Sequence, residues 1–221
     1  MSTSISTLSF EQVHIEKKLT SLLTEVKRAK ENVPSQNTRL LGKMKRWITQ
    51  LTSILSLIDQ VKDSLRPKLE KVLEVSLHKN ELLLVAMFQP STKNLFLEMM
   101  DEFPSKQEEL EHLVALSEMA EALALVGDAA ISLAALHHVW QPKAVDVGVL
   151  TQKRSDIVNN EHMAELCDNW GLYELRIHFD PHAVSKSEME HDKGTLLEAI
   201  YGIVYTEHGL EKIKELVRHL I

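Results

Sequence analysis

Apolar residues recur along this chain mostly at three- and four-residue steps, which is the period of a helix with one buried face. Phe10, Val13, Ile15, Leu19, Leu22, Leu23 and Val26 mark a helix over about 10–32. A turn follows at NVPSQN (32–37), where Pro34 breaks the pattern. Leu41, Trp47, Ile48, Leu51, Ile54, Leu55 and Ile58 mark a second helix over about 38–65, and the two should pair as an antiparallel hairpin. Pro67 marks a boundary or the first turn of the next helix. Further helices are predicted at about 68–86, 92–101, 105–140 with a break, 149–154, 158–170, 188–206 and 209–220. Residues 175–181 alternate in polarity, but the stretch is short and has no evident partner, so the fold class expected is all-α.

One helix carries an interruption. ALALVGDAAISLAALHHVW (122–140) is apolar except where Gly127 and Asp128 break it. A glycine there costs roughly 1 kcal/mol relative to alanine, and a carboxylate on an apolar surface needs a partner. Glu198, among Leu196, Leu197, Ala199, Ile200, Ile203 and Val204, poses the same problem. Two such acids can share a cation that offsets their desolvation, or each can pair with a basic side chain. Helical spacing puts Glu121 on the face of Asp128, two turns earlier.

Charge adds a division of the chain. Residues 1–67 hold eleven basic and six acidic residues, net +5, and residues 68–221 carry net −12. We therefore expect a basic helical hairpin at 1–67 and a second domain at 68–221. A basic arm suits an anionic partner or is a solvated helix face. Arg39, Lys43, Lys45 and Arg46 cluster beside Trp47, itself expected to pack inward. The single cysteine, Cys167, excludes an intrachain disulfide and a cysteine-based zinc cage and reads as a small core residue. No membrane span and no signal peptide are expected, and the setting expected is cytoplasmic.

Four stretches, in this order, resemble the ribonuclease III catalytic domain: LEKVLEVSLHKNELLLVAMFQPST (69–92), EALALVGDAAISLAAL (121–136), LTQKRSDIVNNEHMAELCDNWGLYEL (150–175) and LLEAIYGIVYTEHG (196–209). The resemblance spans about 68–221 and implies an all-α endonuclease domain working as a homodimer. It also implies a Mg²⁺ (or Mn²⁺) cofactor and double-stranded or structured RNA as substrate. Of the family's four metal carboxylates, two fall on Asp128 and Glu198; the other two fall on Ala124 and Thr195, which cannot serve. Asp192 is the nearest acid that could replace one if the backbone shifted. Glu121 matches a family position near the dimer partner, and Asn160 matches the family's asparagine, whose usual serine neighbour is Asn159 here.

The expectation is thus an endoribonuclease of RNA processing with Asp128, Glu198 and Glu121 at its centre and metal on Asp128, Glu198 and Asp192. RNA would be held by Asn160 and by Arg39, Lys43, Lys45 and Arg46. The alternative is a weakened or inactive dimer of the same fold that binds or assembles on RNA. Bacterial members of the family usually append a double-stranded-RNA-binding domain; none is expected here, so the hairpin is its candidate replacement.

Overall fold

The structure is a computed structural model and describes residues 8, 10–77, 81–140, 146–179 and 185–221. Helices α1 (Ile15–Glu31) and α2 (Thr38–Gln60) form the expected hairpin. Each buries one stripe, Ile15, Leu19, Leu22 and Val26 on α1 and Met44, Trp47, Leu51, Ile54 and Ile58 on α2. Helix α2 passes through a π turn (Val61–Leu65) into α3 (Arg66–Leu73), and Pro67 takes one of its two expected places, the first turn of that next helix, where a missing N–H costs little. The division expected at 67/68 therefore falls inside a continuous helical run, and one hydrophobic core joins the hairpin to the rest.

The helix expected at 68–86 is split. Glu74 adopts a left-handed φ of 53° and ends α3, and α4 (Leu82–Met87) is a separate, wholly buried turn and a half. Helix α5 (Thr92–Met100) follows. The break foreseen within 105–140 lies at Ala115, between α6 (Gln107–Val114) and α7 (Leu116–Val139). Next come α8 (Val147–Ile157), α9 (Asn160–Trp170) and α10 (Lys186–Leu216). The two last expected helices are both present within α10 and are separated by a kink at Gly209, where the backbone leaves helical geometry and whose φ of 78° needs a residue without Cβ. The alternating stretch near 177 does find a partner: the Ile177 N–H donates to the Met87 carbonyl (2.7 Å) and the Gln89 N–H to the Ile177 carbonyl (2.9 Å). This is one parallel bridge, Phe88 to Ile177, and the part of that stretch beyond Phe179 lies outside the described residues. The fold is all-α.

Helices α7 and α10 are the centre of the molecule and pack along each other, with α9 against α10. The run 104–139 contains a helical stretch long and apolar enough, by length and composition, to cross a membrane, where none was expected. In this fold one side of α7 (Leu123, Gly127, Ala130, Ile131, Ala134) is buried in the core.

Candidate functional site

The glycine that interrupts α7 marks the place where α7 meets α10. A Cβ on Gly127 would stand 2.7 Å from the Glu198 carbonyl carbon and 2.8 Å from the Gly202 nitrogen; one on Gly202 would stand 2.8 Å from the Leu123 carbonyl carbon. Real Cβ atoms do not approach so closely, so only glycine at both positions lets the two backbones touch. That approach sets Asp128, the next residue of α7, beside Glu198 of α10.

The two acids live in different surroundings. Asp128 is exposed, which corrects the expectation that it is the carboxylate stranded in apolar surroundings. Gly127 points at α10, and one residue further, about 100° around the helix, points to solvent. The burden falls on Glu198, which is half-buried. Burial, and next the charge of Asp128, push its carboxyl up to about 7. Asp128 is therefore the neighbouring acid that Glu198 feels.

Around this pair, Ser132 sits one turn beyond Asp128, and its hydroxyl donates to Asp128 Oδ1 at 3.5 Å. Arg154 of α8 reaches the same hydroxyl from the other side, with Nη1 3.5 Å from Oγ. The sequence reading passed over both residues. Ser132 was within reach of it, being four residues from Asp128 on a helix; Arg154 was not, because the packing of α8 on α7 is not written in any local spacing. Asn160 comes near: its Oδ1 would lie 3.5 Å from a Cβ on Gly194, one turn before Glu198 on the same side of α10.

Other expected members stand apart. Glu121 is exposed on the side of α7 that Asp128 shares, two turns away. Asp192 is exposed and its charge acts on Tyr173, whose hydroxyl is pushed up mainly by burial. Helix α10 is regular between Asp192 and Glu198, so the backbone shift that would bring Asp192 to the site does not occur. Ala124, one turn before Asp128, is buried in the core. Among the described residues no group of three or more His, Cys, Asp or Glu side chains is placed to hold a metal ion. Two carboxylates with depressed mutual tolerance fit one hard cation completed by water and phosphate oxygens; they do not fit a preformed two-metal centre. Cys167 is buried, its thiol pushed up to about 12 by burial, and is inert core as expected.

The basic cluster of α2 is divided. Arg46 reaches both oxygens of Glu98 on α5, one at 2.7 Å. Trp47 is fully buried, as expected, and its indole N–H donates to Glu98 at 2.9 Å. These two donors hold the Glu98 carboxyl below its usual range. Lys43 lies 3.7 Å from Glu102. Lys43 and Arg46 thus dock the hairpin on the body, while Arg39 and Lys45 remain exposed.

Comparison with known proteins bears on the same stretch. Residues 121–209 match the sequence family described as the Ribonuclease III domain. Over 103 residues, 46% of this chain, the sequence is 30% identical to the proteins named Ribonuclease 3 of Mus musculus and Homo sapiens, covering 8% of each. Over 161 residues, 69% of this chain, it is 28% identical to Ribonuclease 3 of Chlamydia trachomatis serovar D, covering 60% of that protein. The chain therefore spans less than two thirds of these relatives. No solved structure matches it.

Proposed function

The chain belongs to the ribonuclease III family, and on that premise we propose that it is an endoribonuclease acting on double-stranded RNA with a single divalent cation, Mg²⁺ or Mn²⁺, held by Asp128 and Glu198. The observation that carries this reading is the placement of Glu198 beside Asp128 at the glycine crossing. A helix pair evolved only for packing gains nothing from a half-buried carboxylate held against another acid. When bound, the cation would stabilise charge on the phosphate and activate a water. The side chains have their own parts. Asp128 would present a solvated carboxylate at the rim, and Glu198, pushed up to about 7 by burial and by Asp128, would have to be deprotonated to hold the cation. Ser132 and Arg154 orient Asp128, and Asn160 offers an amide donor to a phosphate one turn away.

A homodimer is part of the proposal. Helix α7 exposes Leu125 (72% exposed) and Leu133 on the side away from the core, and Trp140 follows at its end. Val147 and Val149 at the start of α8 are exposed as well. Large apolar side chains left in water on one helix suit a second copy of the chain, and Glu121 on the same helix would lie close to that partner.

The test is cleavage of a labelled RNA duplex with Mg²⁺ or Mn²⁺, alongside light scattering for mass. Wild type should cut, and Asp128→Asn and Glu198→Gln should each lose at least a hundred-fold in rate, the scale of losing a charged transition-state contact. A wild-type dimer that binds duplex RNA without cutting it would favour the non-catalytic reading, for which Ala124 and Thr195 speak.

A further inference from the structure

Eight of the hairpin's eleven basic residues fall into two sets with different surroundings. One set is engaged by the chain itself: Arg46 with Glu98, Lys43 with Glu102, Lys62 with Glu16 at 2.6 Å, and Lys18 with the Val13 carbonyl and His112. The other set is Lys27 and Arg28 near the end of α1 with Arg39 and Lys45 near the start of α2. All four are exposed, and among the described residues none has an ion-pair or hydrogen-bond partner for its side chain. The turn at 32–37 joins the two helix ends, and α1 packs on α2. At 1.5 Å rise per residue, these four positions lie within about 10 Å of the hairpin's closed end.

Residues 27–45 hold six basic residues and one acidic residue, Glu31. That excess equals the whole +5 of residues 1–67, so the closed end alone gives the hairpin its sign. Beside it an open cavity of about 360 Å³, large enough for a phosphate group, is lined by Asn37, Arg39, Leu40, Lys43 and Glu102. The rest of the chain carries −12 and repels a polyanion. An acidic site that must meet RNA therefore needs cations that its own body has not neutralised, and these four are such cations.

We propose that the closed end of the hairpin is a second RNA contact, separate from the acidic pair, in which Lys27, Arg28, Arg39 and Lys45 follow the phosphates of a duplex while Lys43 and Arg46 serve only to dock the hairpin. The surface suits RNA better than an anionic bilayer. Among the described residues no large apolar side chain is exposed between residues 10 and 73, so nothing there would enter a membrane. The inference rests on RNA being the partner, as proposed above, but not on cleavage.

The experiment uses the full chain with all four residues changed to glutamine, and separately Arg46→Gln. Binding of a labelled RNA duplex is measured in EDTA, so that nothing is cut, from 50 to 200 mM salt. Each neutralised phosphate contributes roughly 0.7–0.9 to the slope of log affinity against log salt, so the quadruple variant should lose about 3 from that slope. Arg46→Gln should leave the slope unchanged. Thermal unfolding of the quadruple variant should match wild type, because none of the four side chains has a partner among the described residues. An unchanged slope in the folded quadruple variant overturns the proposal. So does a loss of binding confined to phosphatidylserine vesicles, which would make the surface a membrane contact. If wild type binds RNA through this surface but never cuts it, the cleavage reading fails and this one stands; if wild type binds no RNA at all, both fall.

Discussion

At the crossing of α7 and α10, contact is made by what is missing. Gly127 and Gly202 remove two side chains so that backbones can meet. At the seam between α2 and α5, contact is made by some of the longest side chains in the protein: Arg46 and Trp47 reach across to Glu98. Each place holds a glutamate on a helix, and their acidities move in opposite directions. Two donors hold Glu98 below the usual carboxylate range, whereas burial and Asp128 push Glu198 up to about 7. Glu98 stabilises the fold as an anion. Glu198 costs the fold stability as an anion, and a residue that costs stability where packing alone would favour an apolar one points to chemistry.

The largest effect should come from adding a methyl group at the crossing. A Cβ on Gly202 meets the backbone of Leu123, and one on Gly127 meets the backbone of Glu198, so neither neighbour can swing away. Overpacking usually costs 1–3 kcal/mol; with rigid backbone on the far side, Gly202→Ala should cost about 3 kcal/mol or more, roughly 6–12 °C in Tm for a chain of this size. Arg46→Ala at the seam should cost about 1 kcal/mol or less, because its ion pair is substantially exposed. If calorimetry gives the two variants equal losses, the contrast between a backbone crossing and a side-chain seam is lost.

Acidity sharpens the comparison at the next level. Glu198 has a folded pKa above its unfolded one, so the folded state binds more protons between about 4.5 and 7, and stability falls as pH rises through that window. Glu198→Gln should thus stabilise the metal-free protein at pH 8, by about 2 kcal/mol after discounting for partial exposure. The gain should vanish well below pH 4.5, where both states are protonated. Glu98 is depressed, so its contribution is present above its unfolded pKa and is lost as pH falls through the folded one. Glu98→Gln should therefore destabilise at neutral pH and match wild type in strong acid. Denaturant curves at pH 8 and in strong acid read both signs; a Glu198→Gln variant less stable than wild type at pH 8 would contradict the assigned burial.

The difference between the two regions also decides what could be seen in the sequence. The crossing was legible because glycine and acid stand out in apolar helices: Gly127, Asp128 and Glu198 drew attention by violating the pattern, and all three meet. The sequence could not say which acid bears the desolvation, since that depends on the rotation of α7 against α10 and not on composition. The hairpin was legible as a pair of helices from the apolar period alone. Its docking was not, because Glu98 in α5 and Glu102 in the turn after it lie some fifty to sixty residues away, with no pattern linking them to Arg46 and Lys43. A basic cluster reads the same whether its partners are nucleic acid or the protein's own acids.

A smaller effect is expected from rebuilding the acidic set. Thr195 is half-buried and Ala124 buried, each on one of the two crossing helices. Ala124→Glu with Thr195→Asp adds negative charge beside Glu198, so without metal the double variant should lose about 1–2 kcal/mol. Mn²⁺ should restore it, because a ligand that binds only the folded state stabilises by mass action. The shift in Tm with added Mn²⁺ should exceed that of wild type and be greater at pH 8 than at pH 6, since Glu198 must release its proton. A folded double variant with no greater Mn²⁺ response than wild type would remove Ala124 and Thr195 from the site.

The smallest effect, and the finest test of the site, concerns Ser132. Its hydroxyl stands 3.5 Å from both Asp128 Oδ1 and Arg154 Nη1, at the long end of hydrogen-bond reach. Asp128 is exposed, so removing this contact leaves no buried group unpaired, and Ser132→Ala should change stability by about 0.5 kcal/mol or less. At the seam, by contrast, Glu98→Ala strands a buried indole N–H, which costs about 1–3 kcal/mol. What Ser132 governs is orientation: without it Asp128 samples more rotamers, and Arg154 loses its link to the carboxylate. Cation affinity, read from the Mn²⁺ dependence of Tm at pH 8, should weaken about two- to five-fold, equivalent to about 0.4–1 kcal/mol. Ser132→Thr, which keeps the hydroxyl, should recover most of it. If Ser132→Ala binds Mn²⁺ as wild type does, Asp128 is held by its own helix alone and Arg154 has no part in the site; if both substitutions weaken binding equally, the loss is one of packing and not of the hydroxyl.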